Sequence, residues 1–405
     1  MNLSDSPGFR RLRFDRDLKA FDGLMSLFLS APQRVRASGK KVVAKGALSP
    51  VDLIYAAGAL AYDPYTHETI VHSVMNEKFN IVNDAVNAGV SSDFNPWNLV
   101  MLGAVISKKN EVPIDMYSTA CGCWDDQTTK SWQIMSQATA SPLRFWEIPR
   151  FSPEIEGWAM GYLVKELQQL LEWMTSQTTQ AVTDSTLRDA IRSGNMLRLD
   201  MLEIMKLLQL PTVPISALEL YIIQAVMGDY AQDPLVLHVQ YRALIEELEE
   251  RITRAIPDPG VPPKKPLRIY FMGEETQELR VWNAIEDYGG VLVGLDTRLS
   301  LYYDLVREDG SPIENLARWI WKMPYNLPTV ERIEATIPYI KTQNPDAIIV
   351  SSVVGSRNLP GAERLVKDLI RDELGVPVLF IETALPLENI EKVEYQIRAF
   401  IEINR

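Results

Sequence analysis

The chain has 405 residues, long enough for two or three ordinary domains with buried cores. Its 46% hydrophobic and 23% charged residues are typical of a globular protein and exclude a disordered chain and an integral membrane protein. The net charge of −12 argues against a nucleic-acid partner, because phosphate backbones attract basic surfaces. Two cysteines separated by one residue cannot build a disulfide framework, and no apolar signal segment follows the N-terminus, so we expect a cytoplasmic protein.

The first residues of the chain are basic. Residues 1–41 carry nine Lys or Arg against four Asp, and such an arm could dock on a partner or guide an acidic ligand. Because chain termini are often poorly ordered, we interpret residues 1–41 as a solvated, half-ordered N-terminal arm.

Residues 42–150 show the pattern of an α/β domain. Ser49 is the predicted cap of a helix that begins at Pro50 and leads into a strand. The run 112–119 predicts another strand, which ends at the two cysteines and is followed by a helix.

The middle of the chain, residues 151–256, is predicted to be a helical segment. It contains three long stretches in which apolar residues recur at spacings of three and four, with Asp184 and Ser185 as predicted caps of the second stretch. Residues 257–265 contain four prolines and a glycine, which indicates a stiff linker.

The clearest pattern lies in the C-terminal domain, residues 266–405. Four apolar runs alternate there with helical stretches, at 267–273, 291–296, 346–354 and 376–383. Continuous apolar strands indicate a parallel sheet that is covered by helices on both faces. The predicted fold is therefore α/β, with two doubly wound, Rossmann- or flavodoxin-like parallel-sheet domains and a helical segment between them.

Few residues match a known catalytic motif. His67 and His72 are five positions apart, about 140° around a helix, so they do not match the spacing of a zinc protease. Cys121 and Cys123 follow a predicted strand and precede a helix, where an open sheet binds ligands and a helix N-terminus lowers a thiol pKa. Two cysteines are too few for a zinc or iron–sulfur site of their own, so inert thiols remain the alternative.

Several segments, in consistent order, resemble one family over nearly all of the chain beyond residue 41. These segments are 84–97, 114–124, 243–252, 323–334, 346–358, 378–386 and 396–402. They resemble the 2-hydroxyacyl-CoA dehydratase and benzoyl-CoA reductase family, and most closely the larger, cluster-bearing subunits of the ATP-dependent benzoyl-CoA reductase type.

The resemblance implies an iron–sulfur enzyme system. It implies a 4Fe-4S cluster held by three cysteines in each subunit, an acyl-CoA substrate, and low-potential one-electron chemistry. It also implies two partner proteins: a homologous subunit with a complete cysteine set, and an ATP-dependent activator. The reaction would be the reduction of an acyl-CoA, made by an oxidoreductase, or the dehydration of a 2-hydroxyacyl-CoA, made by a lyase.

The chain departs from the family at the cluster ligands. The Gly-Cys-aromatic loop of the family matches at Cys123, which the resemblance implies as a ligand, with Cys121 as the alternative. The other two loops have lost their cysteines, and Asn95 and Ser356 stand at the former ligand positions. Because amide and hydroxyl oxygens bind iron less well than thiolates do, we expect the cluster to lie in the partner or to be shared with it.

Other residues near these loops are candidates for substrate binding. Trp97 and Trp124, together with Trp132, could wall a flat acyl group, and Arg357 could bind a phosphate of CoA. Three functions remain open: a reductase subunit that relies on a cluster-bearing partner, a non-catalytic structural subunit of such a complex, and a subunit of a 2-hydroxyacyl-CoA dehydratase.

Overall fold

The computed structural model describes residues 18–46, 49–74, 78–110, 112–121, 126–178, 180–254, 265–274, 276, 278–355, 362–383 and 390–405. The strands in these ranges are β1 (Val42–Lys45), β2 (Leu60–Tyr62), β3 (Met116–Cys121), β4 (Leu143–Glu147), β5 (Leu267–Gly273), β6 (Gly290–Leu295), β7 (Ala347–Val353) and β8 (Val378–Thr383).

The helices surround these strands. They are α1 (Lys19–Leu29), α2 (Ala31–Ser38), α3 (Val51–Ala56), α4 (Pro64–Val74), α5 (Lys78–Asn87), α6 (Pro96–Ile106), α7 (Asp126–Thr139), α8 (Glu156–Thr178), α9 (Asp184–Leu207), α10 (Ala217–Val226), α11 (Pro234–Arg254), α12 (Arg280–Asp287), α13 (Asp296–Leu299), α14 (Pro312–Lys322), α15 (Thr329–Gln343), α16 (Glu363–Leu374) and α17 (Ile390–Asn404). Short 3-10 turns lie at Pro153–Ile155, Met227–Gln232 and Pro324–Asn326. Among the described helices, none combines the length and the hydropathy that crossing a membrane requires.

The two sheets share one topology. The first has the strand order β2-β1-β3-β4 and the second β6-β5-β7-β8, and the described strand pairs are parallel. In each sheet, the strand that comes first in the sequence is an inner strand. The second strand pairs with one of its edges and the third strand with the other, as in doubly wound folds. The predicted fold class of two such domains with helices between them is confirmed.

Two of the helix caps predicted from the sequence are wrong. Helix α9 is capped by Thr183, whose side chain accepts a hydrogen bond from the backbone N–H of Thr186 at 3.2 Å. Asp184 and Ser185 already lie inside the helix, because a cap residue stands just before the first helical residue. Helix α3 follows Pro50, and the Ser49 hydroxyl donates instead to a strand carbonyl.

Residues 18–38 are folded. The interpretation of residues 1–41 as a solvated arm is therefore wrong for this part of the chain. They form α1 and α2, and α1 packs against α11 with its apolar side in the main core. The buried side chains of α1 are Phe21, Leu24, Met25, Leu27 and Phe28. Residues 1–17, and all of the predicted linker except Lys265, lie outside the described ranges.

Helix α1 receives its cap from a residue far along the chain. Its N-cap position holds Leu18, which has no capping side chain. The Glu247 carboxylate of α11 takes over this role: Oε1 accepts from Lys19 N at 3.0 Å and Oε2 from Ala20 N at 2.7 Å. A carboxylate is favourable there because it meets free N–H groups and the positive end of the helix dipole.

Replacing Glu247 by Leu should lower the free energy of unfolding by about 1–2 kcal/mol, because two helix N–H groups lose their acceptor. Glu247→Gln retains one acceptor oxygen and should lose less. Urea unfolding measures the difference, and Glu249→Leu, on the exposed side of the same helix, is the matched control. Equal losses in the Glu247→Leu and Glu249→Leu variants would contradict this role.

Candidate functional site

The carboxyl edges of the two sheets face each other. At the start of α7, Gln127 Nε2 donates to the carbonyl of Gly355, just after β7, at 3.4 Å. At the end of β6, Arg298 in α13 donates through Nη2 to Thr66 Oγ1 in α4, just after β2, at 3.2 Å. Ligands of open parallel sheets bind at these edges, so the interface between the two halves is the candidate site.

The structure brings together the flanks of the three loops identified in the sequence. Asn95, at the start of α6, donates through its backbone N to Gln127 Oε1 at 2.7 Å. Gln127 follows the cysteine loop, and its second bond reaches Gly355. Ser356 and Arg357 come directly after Gly355 and, like Cys123 and Trp124, lie outside the described residues.

Asn95 acts as a helix cap. Its Oδ1 accepts from Trp97 N at 2.9 Å, and its side chain is buried. The helix continues with Pro96 at its first position, as is common after a capping residue. The amide oxygen at this position, which the resemblance implies for a cluster ligand, is therefore already bonded within the chain.

Cys121 ends β3 beside two carboxylates. Its Sγ donates to the carbonyl of Trp146 at 3.5 Å and lies 4.0 Å from Glu147 Oε1. Burial raises the pKa of the thiol, and the charges of Glu147 and Glu166 raise it further. The expectation of a thiol with a lowered pKa is therefore wrong for Cys121.

Removing one of these charges should make Cys121 more reactive. In Glu147→Gln we expect alkylation by iodoacetamide at pH 8 to be about two- to fivefold faster, because the thiolate is the attacking form. Fragment mass spectrometry of the alkylated chain distinguishes Cys121 from Cys123. Glu154→Gln, on an exposed turn, is the control, and an unchanged or slower rate in Glu147→Gln would refute the electrostatic explanation.

The tryptophans near the loops have different environments. Trp97 is half-buried in the first turn of α6, and its part in substrate binding stays a prediction. Trp132 is fully buried, donates through Nε1 to Tyr65 at 2.9 Å, and packs edge-on against Tyr117. It belongs to the core, so the expectation that it walls an acyl group is wrong.

The structure also shows a buried group of charges that sequence reasoning missed. We call it the interface cluster, and its members are Lys45, Asp63, Asp229 and Arg298, each less than 9% exposed. Lys45 Nζ lies 3.2 Å from Asp63 Oδ2, and Asp63 N donates to Asp229 Oδ2 at 3.0 Å. The cluster joins the ends of β1 and β2 to the turn at 227–232 and to the C-terminal half. In the sequence, the cluster was indicated only by Lys45, a charged residue at the end of the apolar strand β1.

The two carboxyl groups of the interface cluster differ in acidity. Burial acts to raise the pKa of Asp63, but the charges of Lys45 and Arg298 outweigh it and hold the pKa below its ordinary value. Burial, with the charge of Asp63, raises the pKa of Asp229 to about 7. The site thus pairs an ionised carboxylate with one that titrates near neutral pH.

The backbone around Asp229 adopts an uncommon conformation. Tyr230, Ala231 and Gln232 have φ values of 55°, 48° and 59°, a left-handed run that is rare without glycine. This turn lets Ala231 N donate to Asp229 Oδ1 at 3.0 Å and Gln232 Nε2 to Oδ2 at 2.8 Å. Strained backbone of this kind persists where the surrounding structure fixes it.

The carboxyl edge of the second sheet is held by acidic side chains. Asp296 accepts from Gly273 N through Oδ1 and from Arg332 Nη2 through Oδ2, both at 2.7 Å. Glu274, just after β5, accepts from Val353 N at 3.3 Å. These bonds fix the ends of β5 and β7.

Of the four residues that the resemblance associates with the cluster loops, the structure describes Asn95 and Cys121. The Asn95 amide oxygen caps a helix, and amide oxygens bind iron less well than thiolates do, while the Cys121 thiol donates to the carbonyl of Trp146. Within the described ranges, no group of three or more His, Cys, Asp or Glu side chains is placed to hold a metal ion.

Comparison with known proteins supports the resemblance identified in the sequence. Residues 47–404 match the family model described as 2-hydroxyglutaryl-CoA dehydratase, D-component, a range that includes the described strands from β2 to β8 and the described helices from α3 onward. A search of curated proteins found no match. Because the family model extends over both halves of the fold, the chain belongs to the 2-hydroxyglutaryl-CoA dehydratase D-component family.

Proposed function

We propose that the chain is one subunit of a radical-type acyl-CoA dehydratase complex, acting on a 2-hydroxyacyl-CoA thioester together with a cluster-bearing partner. The observation that carries the proposal is the family match over residues 47–404. Dehydration removes the hydroxyl from C2 and a hydrogen from C3 as water, so it has no net redox change. The description of the matching family names a dehydratase, which favours this branch over acyl-CoA reduction.

The engaged donors support a division of labour between subunits. The Asn95 oxygen is bonded as a cap, and the Cys121 thiol donates to the carbonyl of Trp146. We therefore place the 4Fe-4S cluster in a homologous, cysteine-complete subunit, to which Cys123 of this chain can contribute a thiolate. An ATP-dependent activator supplies the low-potential electron to that partner.

In this proposal the chain itself shapes and shields the substrate pocket. The facing sheet edges exclude water from the bound thioester. The flat side chains of Trp97 and Trp124 and the charge of Arg357 provide candidate contacts for the acyl-CoA. A non-catalytic structural subunit is the second candidate, and the same engaged donors favour it.

Anaerobic isolation of the tagged chain from its own cells tests the proposal. We expect a homologous, cysteine-complete polypeptide in the complex and, after the subunits are separated, well under about four irons in this chain. About four irons with matching sulfide in this chain alone would refute the division of labour. A homodimer that is active by itself would refute the partner.

The substrate class is tested with the intact complex, the activator, ATP and a strong reductant. We expect elimination of water from 2-hydroxyacyl-CoA thioesters. Reduction of benzoyl-CoA without dehydratase activity would assign the reductase branch instead. The Arg357→Gln variant separates the two subunit roles: a raised KM for the thioester indicates a substrate-binding subunit, and unchanged kinetics indicate a structural one.

A further inference from the structure

One buried glutamine bonds to two other segments at the facing sheet edges. Gln127 lies in the first turn of α7 and is 9% exposed. Its Oε1 accepts from Asn95 N at 2.7 Å, and its Nε2 donates to the Gly355 carbonyl at 3.4 Å. Only a side chain with both an acceptor and a donor can make this pair of bonds, and an amide has both.

A second observation shows how closely these segments meet. Gly355 has φ +86°, and a Cβ built on it would lie 2.9 Å from the Asp93 carbonyl oxygen and 3.2 Å from Asn95 N. The turn after β7 therefore rests directly on the backbone before α6, with no space for a side chain.

We propose that Gln127 is a positioning residue that clips the turn after β7 to the start of α6, so that the two carboxyl edges are fixed without a metal ion. Its two bonds span both halves of the chain, because Asn95 belongs to the N-terminal half and Gly355 to the C-terminal half. The bond to Asn95 N is buried and the bond to the Gly355 carbonyl is half-buried, so water replaces them poorly when they break. The clip depends on these contacts alone and holds whichever acyl-CoA reaction the complex performs.

Amide-resolved hydrogen exchange of the full chain tests the clip. In Gln127→Leu we expect the Asn95 N–H to exchange at least about tenfold faster, because its acceptor is lost, while amides of the remote helix α14 exchange as before. Gln127→Glu keeps an acceptor for Asn95 N and should keep that amide protected, although it cannot donate to Gly355. The matched control is Gln133→Leu, an exposed glutamine on the same helix.

Three outcomes would overturn the clip. The first is unchanged exchange at Asn95 in Gln127→Leu, and the second is equally fast exchange in Gln127→Glu. The third is faster exchange of the Asn95 amide when a chelator is added to the wild-type chain, which would show that a metal ion holds the segments together. If Gln127→Leu does not fold, Gly355→Ala serves in its place: its Cβ must separate the same segments, and unchanged exchange at Asn95 would again refute the proposal.

Discussion

The Asp52→Asn variant should unfold with a free energy about 3–5 kcal/mol lower than that of the wild type, because it leaves a buried arginine without its counter-charge. Asp52 and Arg198 are 1% and 2% exposed, and Asp52 Oδ2 lies 2.7 Å from Arg198 Nη2. Tyr230 completes the group by donating to Asp52 Oδ1 at 3.1 Å. Arginine stays protonated in proteins, so the unpaired charge cannot be relieved by losing a proton.

Urea unfolding with two further variants separates the ion pair from general disruption. Asp52→Asn combined with Arg198→Met should lose less than the single variant, because no buried charge is then left unpaired. Asp189→Asn, whose partner Arg192 is exposed, should change stability by less than about 1 kcal/mol. A single Asp52→Asn variant as stable as this control would show that the buried pair does not stabilise the fold.

The second large effect is a pH dependence from Asp229. Its pKa is about 7 in the folded chain, against 3.8 ordinarily. The folded state therefore keeps a proton that the unfolded state loses as the pH rises from about 4. The stabilisation from this proton is fully present below pH 4 and is lost as the pH rises through about 7, by up to roughly 4 kcal/mol.

The difference between the wild type and Asp229→Asn isolates the contribution of this carboxyl group from that of every other titrating group. We expect the wild type to lose stability relative to Asp229→Asn between pH 4.5 and pH 8, as measured by urea unfolding at each pH. The exposed Asp189→Asn variant should run parallel to the wild type. A difference that stays constant over this range would contradict the raised pKa.

Apolar runs made the C-terminal sheet predictable. The run 267–273 became β5 with the same bounds, and the other three strands lie within two residues of their predictions. By contrast, β1 has only four residues, of which the last is Lys45, and β4 is an edge strand that mixes apolar and charged residues. Short or edge strands bury less apolar surface, so their sequence pattern is weaker.

The site was less predictable than the fold because its contacts join distant parts of the chain. The pairing of Lys45 with Asp63, and that of both with Asp229, depends on how three elements meet. Gln127 looks like an ordinary polar residue of a helix until its two partners are known. The resemblance identified loops whose described flanks come together there, but a local pattern carries no record of such long-range partners.

The remote cap of α1 has a consequence for the order in which a nascent chain can fold. The acceptor for Lys19 N is 228 residues further along. At a synthesis rate of about 5–20 residues per second, Glu247 leaves the ribosome roughly 10–45 s after Lys19. During that interval the apolar stripe of α1 has no α11 to cover it. The emerging segment therefore needs protection by a chaperone, or must stay unstructured, until most of the middle of the protein has been translated.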